Sequence, residues 1–312
     1  MSTPLIDPAA LRPLLQVRPA RVWTMIGVHA GCWLGAGLGL AVADGWLLKI
    51  PLLVIAASGV MGLIQLDHEA WHGNLFRSRR GDRVFGECMS LLVGIAFAPL
   101  RHDHLAHHRY NRTARDPDAY NAGRRSFGLS LLFYAVVLLG LPLSVIYFNI
   151  LYPLQHFDNT ALRRHARVLA GYAFFYTLLF TALVRGGGMG LACEVWLLPI
   201  LLASPLNGLK SIADHHHNIW NGDRLHTATT ARSTGLVTFL WNGLNYHLDH
   251  HLYPRVPGYN LPALHRYLRP ALLAQGSPVY DSYLAVMFGA LRAGPVIVDE
   301  DVSIVGLRRK DP

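Results

Sequence analysis

Four apolar runs, residues 23–43, 47–66, 165–184 and 189–212, are each about long enough to cross the ~30 Å hydrocarbon core of a bilayer as an α-helix. Inside a bilayer every backbone polar group must find its partner within the protein, which leaves helices or a closed barrel, and runs of about twenty residues select helices. The runs form two pairs, separated by Asp44-Gly45 and by Arg185-Gly186-Gly187-Gly188, and both separators read as tight turns. The predicted fold class is an all-α integral membrane protein with four transmembrane helices in two hairpins. A composition of 52% hydrophobic and 15% charged residues agrees with a bilayer-embedded chain. Residues 1–312 read as one domain, without internal repeats or low-complexity tracts, and the tail from about 285 to 312, which ends polar, is expected to be peripheral. The N-terminal stretch MSTPLIDPAALRPLLQVRPARV has no cleavable signal pattern, so the first helix is expected to act as its own membrane signal.

Three histidine clusters interrupt this apolar chain: His68-Glu69-Ala70-Trp71-His72, His104-Leu105-Ala106-His107-His108 and His247-Leu248-Asp249-His250-His251. A helix turns about 100° per residue, so histidines at i, i+3 and i+4 fall on one face and each cluster can aim two or three imidazoles at one region. Eight such imidazoles exceed what a four-coordinate structural zinc takes and suit a pair of metal ions. His215, His216 and His217 add to the set, but only one of three consecutive helical residues can point into a given site. Isolated histidines at positions 29, 102, 156, 165, 226 and 265 read as ordinary hydrogen-bonded polar residues. Cys32, Cys88 and Cys193 contain no CxxC pair and are odd in number, which argues against a disulfide framework or a zinc ribbon.

Ligands of one site must lie on one side of the membrane. The segments between His72 and His104, and between His108 and His215, must therefore return to the side they leave. For that reason the apolar stretches 84–100 and 127–150, the latter containing Pro142, are expected to be interfacial or re-entrant, with the histidines in a helical cap. The arginines agree: Arg18 and Arg21 precede the first run, and Arg77, Arg79, Arg80, Arg101, Arg109, Arg112 and Arg115 lie in the loop that carries the clusters. The positive-inside rule then places the clusters on the cytoplasmic side. The net charge of +9 follows this topology, and with no nucleic-acid-binding module around the basic residues it does not point to nucleic acid.

Imidazole suits zinc, copper and iron, but an all-histidine site with open positions lets a redox metal activate dioxygen, and zinc has no redox chemistry. Two other classes fit less of the sequence. His68-Glu69-Ala70-Trp71-His72 matches the H-E-x-x-H pattern of a zinc protease, with Glu69 as general base, but leaves two clusters unused. A bis-histidine haem protein needs lone histidines facing each other, which clusters at i, i+3 and i+4 do not supply.

The order HxxxH, HxxHH, HxxHH, the run Asn245 to Pro257 with Asn260-Leu261-Pro262 and Leu264-His265 after it, and Arg101 to His108 followed by Arg115-Asp116-Pro117-Asp118 resemble the membrane fatty acid desaturase superfamily over about residues 50–270. The resemblance implies four membrane helices capped by a cytoplasmic helical region and two non-haem irons bound by histidines. It implies His215 as the extra histidine after the last span. By position, one iron takes His68, His72, His108 and His251, and the other His104, His107, His215, His247 and His250. Ser211 stands where acyl-coenzyme A members carry an asparagine that reaches one iron through water. No His-Pro-Gly-Gly motif of a fused cytochrome b5 is present, so the resemblance implies a separate electron donor, ferredoxin or cytochrome b5-like with a reductase. It implies a lipid or acyl substrate and O2-dependent desaturation, with hydroxylation, ketolation or decarboxylation of a fatty acid, carotenoid or small metabolite as alternatives.

Overall fold

The structure, a computed structural model, describes residues 5–216 and 218–299. A short N-terminal helix α1 (Pro8–Leu14) precedes the first hairpin, α2 (Pro19–Val42) and α3 (Trp46–His72), which turns through Asp44-Gly45. A bent pair follows, α4 (Arg79–Val93) and α5 (Phe97–Tyr110), then α6 (Phe127–His156) and the second hairpin, α7 (Asn159–Arg185) and α8 (Met189–Asp214). Four shorter helices complete the described chain: α9 (Gly235–Leu240), α10 (His247–Leu252), α11 (Leu261–Ala274) and α12 (Tyr283–Ala293). Two-residue parallel pairings, Ala122–Gly123 with Val296–Ile297 and Thr230–Ala231 with Val279–Tyr280, stitch the loops of the histidine end together.

Five helices are long and apolar enough to span a bilayer: the four of the two hairpins and α6. The apolar stretch 84–100 does not form a straight helix, because α4 and α5 meet at 109°. In α6 the backbone leaves helical geometry at Leu139, one turn before Pro142, which has no N–H to offer its preceding turn. The Leu141 N–H donates instead to Ser204 Oγ of α8 at 3.1 Å. Both ends of α6 meet the histidine end of the molecule. Phe133 and Val137 pack with Ile212, near the end of α8, whereas Tyr152 donates or accepts a 2.7 Å bond with His102, two residues before His104. Between those ends, Leu141 and Phe148 pack with Val60 and Ala203, farther from the histidines. The first part of α6 therefore packs along α8, and its last part meets α5. Gly208 permits its close approach, since a Cβ there would sit 2.2 Å from the Val137 carbonyl oxygen.

The hairpins join at the far end through Lys49 Nζ and Glu194 Oε1, 2.6 Å apart, and through Trp33 Nε1, which donates to the Val195 carbonyl. At the histidine end, Leu244, Leu248, Leu261, Leu264, Leu268 and Leu272 form a separate buried core under α10 and α11. The sequence reading of the tail from 285 as peripheral needs correction. Val286, Met287 and Ala290 of α12 are buried with Ala213 and Ile212 of α8, Met61 of α3 and Phe133 of α6, and the Tyr283 hydroxyl donates to Asp214 Oδ1 at 3.0 Å, because the helix presents an apolar face that these neighbours cover. Residues 300–312 lie outside the described residues.

A four-span arrangement makes a direct prediction. Single cysteines at Asn159 and Gly187, at opposite ends of α7, should label from opposite sides of the membrane with an impermeant thiol reagent, because a helix of that length spans about 40 Å at 1.5 Å per residue. Labelling from one side only would rule out α7 as a span.

Candidate metal centre

Each histidine cluster sits where a helix stops. α3 ends at Gly73, whose left-handed φ of +76° lets its N–H reach back to Ala70 O, so His68 and His72 occupy the last two turns. His104, His107 and His108 fill the end of α5, His215 follows α8 in a non-helical conformation, and α10 carries the third cluster. Cross-links fix these ends against one another. Asn74 Nδ2 donates to the Pro254 carbonyl at 2.6 Å, and the Gly258 N–H donates to Glu69 Oε2 at 2.9 Å, tying α3 to the loop after α10. Buried Arg112 donates to Asn121 Oδ1 and to the His215 carbonyl, and its N–H donates to Asp116.

The nine histidines singled out from the sequence come together in two groups. One holds His68, His72, His104, His108 and His250, the other His107, His215, His247 and His251, and within each group the candidate ligand atoms lie within 4.8 Å of one another. His72 and His104 approach at 2.8 Å and His108 and His250 at 3.1 Å, all through Nε2. In the second group, His107–His215, His215–His247 and His247–His251 contacts measure 3.1, 3.2 and 3.0 Å, again between Nε2 atoms. Ligands about 2.1 Å from one ion and at right angles stand about 3.0 Å apart, so both groups have the spacing of a metal shell. His68 Nε2 is buried and has no hydrogen-bond partner, a nitrogen that an ion at the centre of its group would satisfy.

The outer nitrogens are held from behind. His107 Nδ1 faces Asp116 Oδ1 at 2.8 Å and His215 Nδ1 donates to the Thr227 carbonyl at 2.9 Å, which turns both Nε2 atoms inward. Burial would lower His107, but Asp116 with the nearby Asp118 and Asp103 outweighs it and raises the ring to about 9. Burial would likewise raise the Asp116 carboxyl, yet His107 and the Arg112 N–H hold it below its usual range. Burial and the neighbouring imidazoles push His247, His250 and His251 well below the ordinary imidazole range, leaving neutral rings with lone pairs to offer.

The grouping differs from the one carried over from the family resemblance, which put His251 with His68 and put His104 and His250 with His215. The structure keeps each i, i+4 pair together, His68 with His72, His104 with His108 and His247 with His251, and sends the i+3 residues His107 and His250 to the opposite group. On a helix i and i+4 differ by about 40° while neighbours differ by about 100°, so the pairing follows from helical geometry. His102 stays outside both groups, bonded to Tyr152. His216 does too, and His217 lies outside the described residues. Ser211 accepts a 2.9 Å bond from the Tyr120 hydroxyl.

Sequence reading assigned His265 an ordinary structural role and gave Asp249 none. In the structure, His265 Nδ1 lies 3.1 Å from both Asp249 oxygens and Thr230 Oγ1 donates to Asp249 Oδ2 at 2.6 Å, a buried set that fixes the helix carrying the third cluster. An acidic residue inside the third cluster was the signal for it. Asp249→Ala should lower metal affinity about 10- to 100-fold, and His102→Ala should leave it unchanged, both read by metal content after dialysis. Equal losses would show that distance from the groups does not matter.

A cavity of about 440 Å³ lies beneath the groups, between α3, the α4–α5 bend, α6 and α8. Leu132, Val136, Leu141 and Leu151 line its apolar part, and His68, His104, His107, His215 and His247 close one end.

Membrane-length helices that end in two converging histidine groups over an apolar cavity define a histidine-cluster membrane protein with two candidate metal sites. Residues 44–283 match the fatty acid desaturase family, and the chain belongs to it. It is 25% identical to a fatty acid desaturase of Bacillus subtilis over 77% of this chain and 73% of the relative. It is 28% identical to a β-carotene ketolase of a Paracoccus species over 70% of this chain and 82% of that protein. An sn-1 oleoyl-lipid 12-desaturase of a Picosynechococcus species is 21% identical, covering 80% and 77%. The protein is accordingly an oxidoreductase of the general kind this family comprises.

Proposed function

We propose that the protein is an integral membrane di-iron oxidoreductase of a bacterial inner membrane that desaturates an acyl chain with dioxygen and two external electrons. The observation that carries this reading is the cavity, whose wall is mainly apolar and which touches both histidine groups at its polar end. His68, His72, His104, His108 and His250 would hold one iron and His107, His215, His247 and His251 the other. Bound iron supplies the oxygen chemistry that removes hydrogen from an unactivated C–H bond. The chain's own residues do the rest. α6 and α8 wall the substrate, and the bend between α4 and α5 closes the side. Asp116 and the Thr227 carbonyl keep His107 and His215 aimed inward, and Asp214 Oδ2 lies 3.5 Å from His247 Nδ1. Two vicinal hydrogens leave the substrate, and with O2, two electrons and two protons the products are an alkene and two waters. The electrons come from a separate donor, a ferredoxin or a cytochrome b5-like protein with its reductase, and the histidine groups face the cytoplasm.

A second reading has one observation in its favour. The cavity wall near the histidines is polar, with the Tyr120–Ser211 pair and Gln65 bonded to Asn207 at 3.4 Å, which suits a substrate that receives oxygen at the reacting carbon. Lipid and metabolite profiling of a host with and without the gene separates the two. Desaturation predicts new unsaturated chains that vanish without oxygen. Hydroxylated or keto products select the second reading, and no oxygen-dependent product refutes both.

A further inference from the structure

The five-histidine group is approached from two sides. The apolar cavity reaches His68 and His104, whereas His72 lines a separate groove of about 1520 Å³. Exposed Arg77, Arg79, Arg83, Arg101, Arg109, Arg164 and Arg255 surround that groove, against two carboxylates, Asp82 and Glu87. Asp82 is buried and Glu87 offsets only Arg83, with which it is paired, so the other six arginines set the positive surface. The arginines come from the α3–α4 loop, α4, α5, α7 and the loop after α10, so the groove is built by the tertiary fold. Arg101 is fixed at its floor, its Nε donating to the Trp71 carbonyl at 2.8 Å, one residue from His72.

We propose that this groove docks the acidic face of a small electron-transfer protein, which delivers electrons through His72 to the five-histidine group. The inference rests on the di-iron reading above. Complementary charge steers such encounters and speeds them at low salt. Among the described residues none lines both the groove and the cavity, and α5 turns one face to each, so a carrier headgroup held in the groove would have α5 between it and the cavity. An electron needs no passage. His72 Nε2 is 2.8 Å from His104 Nε2, so the groove opens directly onto the group. Each encounter oxidises the donor by one electron and reduces the metal group by one, and two encounters supply one turnover.

The test uses the full-length protein in neutral lipid nanodiscs and a plant-type [2Fe–2S] ferredoxin as the acidic probe. Calorimetry on iron-free and iron-loaded protein measures binding, and photoreduced deazaflavin, a neutral reductant, measures whether the iron can be reduced at all. The triple variant Arg79→Glu, Arg109→Glu and Arg164→Glu should bind ferredoxin at least 10-fold more weakly, with a smaller dependence on salt. Lysine at the same three positions should restore binding, while iron content and deazaflavin reduction stay unchanged. Ferredoxin binding unaltered by the glutamate variant, or absent from the wild-type protein, overturns the proposal. So does a glutamate variant that keeps ferredoxin binding but loses co-purifying phosphatidylserine, which would make the groove a lipid-headgroup site. Wild-type protein without iron that deazaflavin can reduce would instead refute the di-iron reading, and binding to iron-free protein keeps the two failures apart.

Discussion

His250→Ala and His251→Ala proteins are expected to reach the membrane, to be inactive, and to fall from about two irons per chain to about one, since each removes a nitrogen donor from a different metal shell. The two residues are neighbours in sequence but belong to the five-histidine and four-histidine groups respectively. Their variants should therefore empty different sites, which Mössbauer spectra of the iron that remains will distinguish. The same loss of turnover is expected for alanine at His68, His72, His104, His107, His108, His215 and His247. Membrane insertion should survive, because the apolar faces that hold the hairpins together lie away from the groups. Elemental analysis of iron-replete protein gives the count. One tightly held zinc with negligible iron, or a His250→Ala enzyme that still turns over, would sink the two-iron arrangement.

Glu69→Gln should cut activity about 10- to 100-fold without abolishing it, the range expected for a residue that supports a metal ligand from behind. In the zinc-protease reading of His68-Glu69-Ala70-Trp71-His72 the same change would be nearly lethal, because the glutamate would activate the attacking water. Geometry favours the milder outcome. Glu69 Oε2 accepts the Gly258 N–H, and Oε1 lies 3.7 Å from His68 Nδ1, on the outer side of the ring. Glutamine keeps an oxygen for Gly258 and changes only the group that faces the outer side of His68. Peptide cleavage without oxygen, lost in Glu69→Gln, is the result that would restore the protease reading.

The span-length runs and their tight turns were readable because hydropathy and glycine act locally. So were the nine histidines, since their spacing on a helix is itself a statement about geometry. The role of α6 was harder. Its composition satisfies the requirement for a span as well as α3 does, and what sets its course is the Leu139 kink together with contacts to Ser204, Gly208 and His102 from distant parts of the chain. α12 was misjudged for a similar reason, as an apolar face on a short helix carries no information about which neighbour will cover it.

By itself the sequence determined which histidine clusters could hold metal, which of their members share a helical face, and that the chain contains membrane-length helices. Each of these depends on residues within a turn or two of one another. Tertiary structure alone decided that His250 joins His72 rather than His251, that Asp249 and His265 fix the helix carrying the third cluster, and that seven arginines from five segments line one groove beside His72. Those outcomes depend on how helix ends separated by more than a hundred residues meet in space, and that is fixed by cross-links such as Glu69 to Gly258 and Arg112 to His215, which have no local signature in the chain.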